Sequence, residues 1–263
     1  MKPAELSLQE VSLEFPTSNR PLAVISGLTL DVAKDEFVSV VGLSGCGKST
    51  LLHLVAGFLQ PTTGHISYRG AAVTGVSSAR VMVFQEDSVF PWMTVLENAA
   101  YGPRARGVAE PEADRIAGKY IDLVGLREFA EEYPKNLSGG MRKRVDLARA
   151  YAAEPGVLLM DEPFGALDAY TRERMQVDLL ELWQAEQKTV LFVTHDLAEA
   201  LLMSDRVIVL SRRPARVHTV ITVPFSRPRN RGLRKTPEFL KQQSLLEEIL
   251  HSFEVADACA HTS

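Results

Sequence analysis

Residues 36–50 read EFVSVVGLSGCGKST, and this stretch decides the fold. Its first six residues are mainly apolar and rich in valine, which predicts a short buried strand. The run Gly42–Thr50 has the spacing G-x-x-x-x-G-K-S, and the following LLHLVAGF is suited to a helix. In the order strand, glycine loop and helix, backbone N–H groups and a helix N-terminus converge on one point, which predicts a phosphate site.

The side chains of this loop indicate a nucleotide with a metal ion. We expect Lys48 to reach the β and γ phosphates and the Ser49 hydroxyl to bind Mg²⁺. The alternative is a glycine-rich turn that serves only the fold. The predicted nucleotide contacts in the loop are Gly42, Ser44, Gly45, Cys46, Gly47, Lys48, Ser49 and Thr50.

Two carboxylates follow a second apolar segment, VLLMDE (157–162). Asp161 comes after four apolar residues, so we expect its carboxylate to emerge at the edge of the sheet as a metal ligand. Glu162 comes next and is suited to polarise an attacking water as general base. Taken alone, the pair could equally be a helix cap, but beside a phosphate loop it predicts hydrolysis.

A second candidate anion site lies in LSGGM (137–141), where two glycines follow a serine at the start of a predicted helix. Alone, such a motif is usually only a loop. The chain therefore carries two candidate phosphate sites but one phosphate loop.

Composition limits the remaining functions. The chain has 263 residues, 46% of them apolar and 24% charged, with a formal net charge of −4, so binding to nucleic acid is disfavoured. No run approaches the apolar length of a membrane span or a signal peptide, and we expect a cytosolic location. Cys46 and Cys259 lie far apart in sequence, which argues against a disulfide framework or zinc site.

The pattern along the chain predicts α/β architecture. Residues 6–15 and 28–32 are expected to form antiparallel strands, and 64–84 to have strand character. Residues 94–153 are predicted to be helical, with breaks at Gly102-Pro103, Gly125 and Tyr133-Pro134. Segments 156–161, 188–195 and 205–210 predict strands of a parallel sheet covered on both faces, and 236–252 a final helix.

With these motifs in view, the sequence resembles the nucleotide-binding subunits of ATP-binding cassette (ABC) transporters. Gly42–Thr50 is similar to Walker A, Gln85 to the Q-loop glutamine, and Leu137–Met141 to the signature motif. Val157–Glu162 is similar to Walker B, Gly165–Asp168 to the D-loop, and His195 to the switch histidine. The resemblance implies a P-loop NTPase domain over residues 1–220, with an antiparallel β subdomain and a helical subdomain inserted at about 88–153. A C-terminal extension, partly helical, would occupy 221–263.

The resemblance also implies the site. Two subunits would face each other head to tail, each ATP lying between one Walker A and the other chain's signature. Glu162 would be the general base, His195 would hold the γ phosphate and the water, and Gln85 would sense Mg²⁺ and the γ phosphate. Phe15, at the end of the first strand, is our choice for stacking on adenine, with a core position as the alternative. The other implied residues are Asp168 of the D-loop and Ser138, Gly139 and Gly140, which would contact the partner's ATP.

In this family the segment after the Q-loop glutamine accepts a cytoplasmic helix of the membrane permease. The resemblance thus makes Val89–Trp92 an apolar docking surface, the alternative being that Phe90 and Trp92 only pack the helical insert against the core. The implied assembly contains permease subunits and a solute-binding protein, at the cytoplasmic face of the inner membrane. An isolated monomer should hydrolyse ATP poorly.

The sequences of residues 84–102, 161–176 and 178–211 resemble the importer branch for nitrate, taurine, alkanesulfonates and related anions or pyrimidines. Residues 64–75 and 223–232 favour taurine or another sulfonate; nitrate or pyrimidine import is the alternative. An ABC exporter or a non-transport ABC ATPase are rivals of another class, and a P-loop kinase would have no use for LSGGM.

Three residues stand out. Met141 and Lys143 stand where glutamine is common in the family, and we expect Lys143 to alter the charge near the partner interface. Cys46 inside the phosphate loop predicts sensitivity to thiol reagents, unless burial makes it inert.

Overall fold

The structure is a computed structural model that describes residues 3–18 and 20–260, with side chains as far as Phe253. The side chain of Cys259 lies outside this description, as do residues 1–2 and 261–263, where the predicted ATP-binding domain begins and the predicted C-terminal extension ends. The chain divides into two compact units, the first within residues 1–76 and 189–263 and the second Ser77–Lys188.

The first unit contains two sheets. One is antiparallel in the order β2-β1-β4-β5, and in the other β9, β3 and β8 run parallel with β10 antiparallel at the edge of β9. The strands are β1 (Ala4–Phe15), β2 (Leu22–Ala33), β3 (Phe37–Val41), β4 (Thr63–Tyr68), β5 (Ala71–Ala72), β8 (Thr189–Val193), β9 (Arg206–Leu210) and β10 (Val217–Thr222), and the helices are α1 (Lys48–Ala56), α6 (Leu197–Met203) and α7 (Pro237–Ala260).

The second unit is a pair of parallel strands with four helices. It contains β6 (Arg80–Val83), α2 (Val95–Ala105), α3 (Glu110–Leu123), α4 (Gly139–Ala152), β7 (Val157–Asp161) and α5 (Ala169–Ala185). Among the described helices of either unit, none combines the length and the apolar character that crossing a bilayer requires.

The central strands are buried because their sequences are apolar on both faces. Every residue of β3 and of β8 is buried, as expected for strands of a parallel sheet covered on both sides. The predicted strands at 6–15, 156–161, 188–195 and 205–210 are confirmed, with ends shifted by up to two residues. β10 was not predicted, and it includes residue 220. The domain boundary that was placed after residue 220 stays a prediction.

The predicted helix break at Gly102-Pro103 is wrong, because α2 continues through both residues to Ala105. Pro103 stands near the end of the helix, so the hydrogen bond that it cannot donate is one of the last. Gly102 serves close packing instead: a Cβ there would lie 2.7 Å from the Cβ of Ala153. The breaks at Gly125 and before Pro134 are confirmed.

The C-terminal segment is fixed to the first unit by a buried arginine. Arg229 is 6% exposed and donates to the carbonyl oxygens of Leu201 (3.1 Å), Leu202 (3.3 Å) and Ser204 (2.6 Å) at the end of α6. It also donates to the Phe225 carbonyl at 2.7 Å. Burial lowers the pKa of Arg229 to about 10, so the guanidinium is still charged at neutral pH. The last carbonyl groups of a helix lack hydrogen-bond donors within the helix, and at the end of α6 Arg229 provides these donors.

We expect Arg229→Ala to lower the free energy of unfolding by about 3 kcal/mol, because buried carbonyls would lose their donor. Arg115→Ala is the matched control, since Arg115 pairs with Glu112 on an exposed helix surface and its loss should leave stability nearly unchanged. Urea unfolding followed by circular dichroism measures both. Equal losses in the two variants would contradict the assignment.

Candidate functional site

The glycine loop runs from β3 to α1 and is folded around a lysine. The Lys48 Nζ donates to the carbonyl oxygens of Gly42 at 2.9 Å and Leu43 at 3.1 Å. Lys48 is buried, so its charge is fixed at the centre of the loop. The first N–H groups of α1 have no partners within the helix, and together with the ammonium they can bind a phosphate.

Two positions in the loop require glycine. Gly47 has φ of 124°, which side chains rarely adopt, and a Cβ there would lie 3.3 Å from Cγ1 of Val24. At Gly42 a Cβ would lie 3.0 Å from the Sγ of Cys46 and 3.2 Å from the carbonyl oxygen of Leu210. The loop can therefore hold its shape only with these residues.

The rim of the loop is open. Ser44, Gly45 and Ser49 are exposed, and Thr50 is half-buried. Arg213 reaches the rim from the segment after β9 and donates from Nη2 to the Gly45 carbonyl at 2.6 Å. Arg213 was not predicted as a site residue; its signal in the sequence is the arginine-rich SRRPAR (211–216).

Cys46 lies in the floor of the loop. Its side chain is 3% exposed, and burial raises the pKa of its thiol although the Lys48 ammonium acts in the opposite direction. A buried thiol with a raised pKa carries little of the reactive thiolate. The structure therefore favours the inert alternative over sensitivity to thiol reagents.

His195 lies at the same sheet edge as the glycine loop, because it follows β8 and β8 is the parallel neighbour of β3. The turn that carries the exposed histidine is held by buried groups: the Thr194 hydroxyl donates to Glu199 at 2.6 Å and accepts from the Asp196 N–H at 3.0 Å. Asp196 caps α6 by accepting from the Glu199 N–H at 3.0 Å. The histidine is thus presented from a rigid turn.

Phe15 is the last residue of β1, as predicted, and it is half-buried opposite Leu22 of β2. This position is compatible with stacking and with a packing role alike. Its assignment to adenine stays a prediction.

In the second unit, Gln85 lies two residues after β6, and Asp161 and Glu162 lie at the end of its parallel neighbour β7, so the three residues share one edge. Asp161 is the last residue of β7, and Glu162 has φ of 43°, a left-handed conformation. The Glu162 carbonyl accepts from the Gly165 N–H at 2.9 Å. A Cβ at Gly165 would lie 3.0 Å from the Gln85 Nε2, so the glutamine side chain lies against this turn.

Each unit presents an oxygen donor of the kind that Mg²⁺ prefers. Mg²⁺ is usually held by one or two protein oxygens, with water and phosphate oxygens completing the octahedron. Asp161 is a half-buried carboxylate at a strand end, and Ser49 is a hydroxyl on the first turn of α1. In the part of the chain that the structure describes, no three His, Cys, Asp or Glu side chains are grouped to hold a metal by themselves.

The signature motif begins α4. The Ser138 hydroxyl accepts from the Met141 N–H at 3.3 Å, and Gly139 and Gly140 form the first turn, where N–H groups are available to an anion. A Cβ at Gly140 would lie only 2.8 Å from the Cγ2 of Thr171 on α5, so the position has no room for a larger residue unless Thr171 moves.

Asp168 begins the neighbouring helix, α5. Its carboxylate accepts from the Thr171 N–H at 3.0 Å, and this bond is the main reason that the pKa of Asp168 is lowered. Within the second unit, Thr171 therefore lies beside both Asp168 and Gly140.

Two expectations about surface residues are wrong. Lys143 is 3% exposed and is directed into the second unit, so it does not alter the surface charge. Val89 is buried, so the apolar surface consists of Phe90, Pro91 and Trp92 without it. Trp92 is 68% exposed and stacks on Phe90, with 5.5 Å between ring centroids.

Phe90 borders a groove with a volume of about 640 Å³. The Tyr101 ring meets Phe90 edge-on at 4.8 Å, and the remaining apolar lining comes mainly from β6 and from the small residues of α2 and α4. An open apolar groove beside exposed aromatic side chains is typical of a site that binds a protein segment.

The loop fixed around Lys48 and the serine-glycine start of α4 define the class: a P-loop ATP-binding cassette. Residues 25–165 match the family model described as ABC transporter. The chain is 43% identical over 251 residues to the taurine import ATP-binding protein TauB of Roseobacter denitrificans, covering 94% of this chain and 92% of that protein. It is 41% identical over 264 residues to the nitrate import ATP-binding protein NrtD of Synechocystis sp., with coverage of 98% and 99%.

A solved structure, the dimeric post-hydrolysis state of the ATP-binding cassette MJ0796 bound to ADP and Pi, has a TM-score of 0.71 to this chain. The two are 28% identical, and the alignment covers 84% of this chain and 100% of that one. The chain belongs to the ABC transporter family and is an ATP hydrolase whose activity is coupled to transport across a membrane.

Gly140→Ala should reduce ATP hydrolysis and lower the melting temperature, because the new methyl group overlaps Thr171 at a cost of about 1–3 kcal/mol. Adding Thr171→Ser removes the clashing methyl group and keeps the hydroxyl, so the double variant should recover most of both losses. Thr171→Ser alone is the control. If the double variant recovers stability without hydrolysis, Gly140 is needed for more than its small size.

Proposed function

We propose that this chain is the ATP-hydrolysing subunit of an importer for a small anion, with taurine or another sulfonate as the solute. The observation that carries the proposal is the glycine loop fixed around Lys48, in a chain similar over nearly its whole length to taurine and nitrate import subunits. Nitrate is the second candidate, because the nitrate import relative aligns over 98% of the chain.

In this proposal the loop from Gly42 to Thr50 holds the phosphates of ATP. The ammonium group of Lys48 contacts the β and γ phosphates, and Phe15 stacks on adenine. The residues that would hold Mg²⁺ are Ser49, Gln85 and Asp161, and the bound ion would offset the negative charge of the phosphates. The support is the buried lysine, the exposed serine on the first turn of α1, and the position of Asp161 at the end of β7.

Hydrolysis needs a base and groups that orient the water. Glu162 accepts the proton as the water oxygen attacks the γ phosphorus, and His195 donates a hydrogen bond that keeps phosphate and water aligned. Two observations support these roles: Glu162 has a left-handed backbone, which is frequent at functional sites, and His195 stands on a rigid turn.

We propose a head-to-tail dimer as the active form. Ser138, Gly139 and Gly140 of one copy contact the ATP held by the other, and Asp168 lies beside them. The N–H groups at the start of α4 support this role, as does the dimeric state of the cassette MJ0796. Because each site is completed by the partner, a monomer hydrolyses ATP slowly, and closure of the dimer drives the permease between two states.

The groove beside Phe90 and Trp92 is the proposed docking site for a permease helix, at the cytoplasmic face of the membrane. A helix can bury an apolar face against Phe90 and Tyr101 there, and Trp92 is large and exposed enough to anchor it. A solute-binding protein completes the proposed importer.

Glu162→Gln should bind ATP and form a stable dimer while its turnover falls at least 100-fold, because the amide cannot accept the proton. Glu181→Gln on the exposed face of α5 is the matched control and should hydrolyse ATP normally. Phosphate release and size-exclusion chromatography with ATP and Mg²⁺ measure both properties. Normal turnover in Glu162→Gln would refute the assignment of the base.

A strain that lacks this gene should fail to grow on taurine, or on one alkanesulfonate, as its sole sulfur source. It should grow normally on sulfate and on nitrate, which serve as controls for general fitness. Growth failure on nitrate as sole nitrogen source would transfer the proposal to nitrate import. Normal growth on every source would exclude both solutes and leave the ATPase intact.

A further inference from the structure

Residues 84–90, which connect the glutamine Gln85 to the docking groove, are bound along one face of α4. Arg142 pairs with Asp87 at 2.8 Å and also donates to the carbonyl oxygen of Leu137, the first residue of the signature motif, at 3.0 Å. Lys143, Asp146 and Arg149 follow on the same side of the helix, three residues apart. We call the segment 84–90 the strap.

Lys143 holds the start of the strap. Its Nζ donates to the Phe84 carbonyl, to the Gln85 carbonyl at 3.4 Å and to the Asp146 carboxylate at 3.4 Å. The two side chains of the ion pair are almost fully buried. Burial lowers the pKa of Lys143, and Asp146 opposes this shift. A lysine has three N–H donors, and each of them has an acceptor here.

Asp146 and Arg149 continue the network to the middle of the strap. Asp146 accepts from the Ser88 hydroxyl at 2.8 Å and from Arg149 at 2.8 Å. Arg149 also donates to the carbonyl and to the hydroxyl of Ser88, both at 2.6 Å. Its guanidinium lies 5.0 Å from the centre of the Phe90 ring, which borders the groove.

The network therefore has one end in the groove and the other at the backbone of Gln85. Ser88, Asp146 and Arg149 line the groove beside Phe90, so an occupant would meet them directly. Buried, satisfied polar networks are stiff, because separating any pair leaves a charge without a partner in a medium of low dielectric constant. In such a network, a displacement of Phe90 or Ser88 would also move Arg149, Asp146 and Lys143.

We propose that Lys143 is a positioning residue that fixes the backbone of Gln85 to the signature helix, and that the line Arg149–Asp146–Lys143 links the groove to this glutamine. The inference rests on the proposed function, in which Gln85 serves the metal and the γ phosphate. It assigns to Lys143 an action through Gln85 and no contact with nucleotide.

Two substitutions separate this role from simple packing. Lys143→Met keeps the length and the apolar volume of the side chain but removes every donor. Lys143→Gln is shorter but keeps an amide that can donate to a carbonyl oxygen. If Lys143 only fills space, methionine should replace it at least as well as glutamine.

We expect turnover of ATP by the full-length protein to fall about 10-fold in Lys143→Met, with KM changed less than twofold. Lys143→Gln should retain at least half of the wild-type turnover. Turnover in Lys143→Met that equals or exceeds that of Lys143→Gln would overturn the proposal. Absence of ATP hydrolysis in the wild-type protein would instead count against the proposed function.

Trp92 supplies an independent readout. The chain has two tryptophans, and Trp183 is buried with its indole N–H bonded to the Lys188 carbonyl, so acrylamide quenches mainly Trp92. ATP with Mg²⁺ should change this quenching in the wild-type protein, and the change should be at least halved in Lys143→Met. Trp92→Phe identifies the source of the signal. A wild-type protein that hydrolyses ATP without any change in quenching would overturn the link.

Ser88→Ala tests the network if Lys143→Met does not fold. It removes one bridging hydroxyl, preserves every charge, and leaves the direct pair between Asp146 and Arg149. The ATP-dependent change in quenching should fall in this variant as well. A wild-type response in Ser88→Ala would overturn the proposed link between the groove and Gln85.

Discussion

The hydrogen bonds from Lys48 to the Gly42 and Leu43 carbonyls are the interaction on which the rest of the site depends. They bring a buried cation to the end of a strand that is apolar on both faces, and they close the loop over the start of α1. Burying that cation costs free energy, which the carbonyl oxygens offset. A phosphate adds the missing negative charge, so the site is most stable with its ligand bound.

Much of this arrangement could be predicted from the sequence, because it is local. The strand, loop and helix around Lys48 follow each other directly, Asp161 ends the short apolar strand β7, and His195 lies two residues after β8. Periodicity and spacing capture such features, since the chemistry and the element that presents it lie within a few residues of each other.

The features that sequence reasoning missed depend on residues far apart in the chain. Gly102 permits close approach to Ala153, and Lys143 binds carbonyls 58 and 59 residues earlier. Arg213 reaches a loop 168 residues away. From sequence alone, a lysine is expected at the surface and a glycine-proline pair is expected to end a helix. Only the packing around each residue shows otherwise.

Arg229 and Lys143 share a property with consequences for how this sequence can vary. Most of their acceptors are main-chain carbonyl oxygens, and at Arg229 all of the described acceptors are. Every residue type carries the same carbonyl, so exchanging the side chain of an acceptor residue leaves the bond in place. The side chains of the acceptor residues can therefore change without loss of these bonds, whereas positions 143 and 229 must keep a hydrogen-bond donor, and sequence covariation would record neither contact.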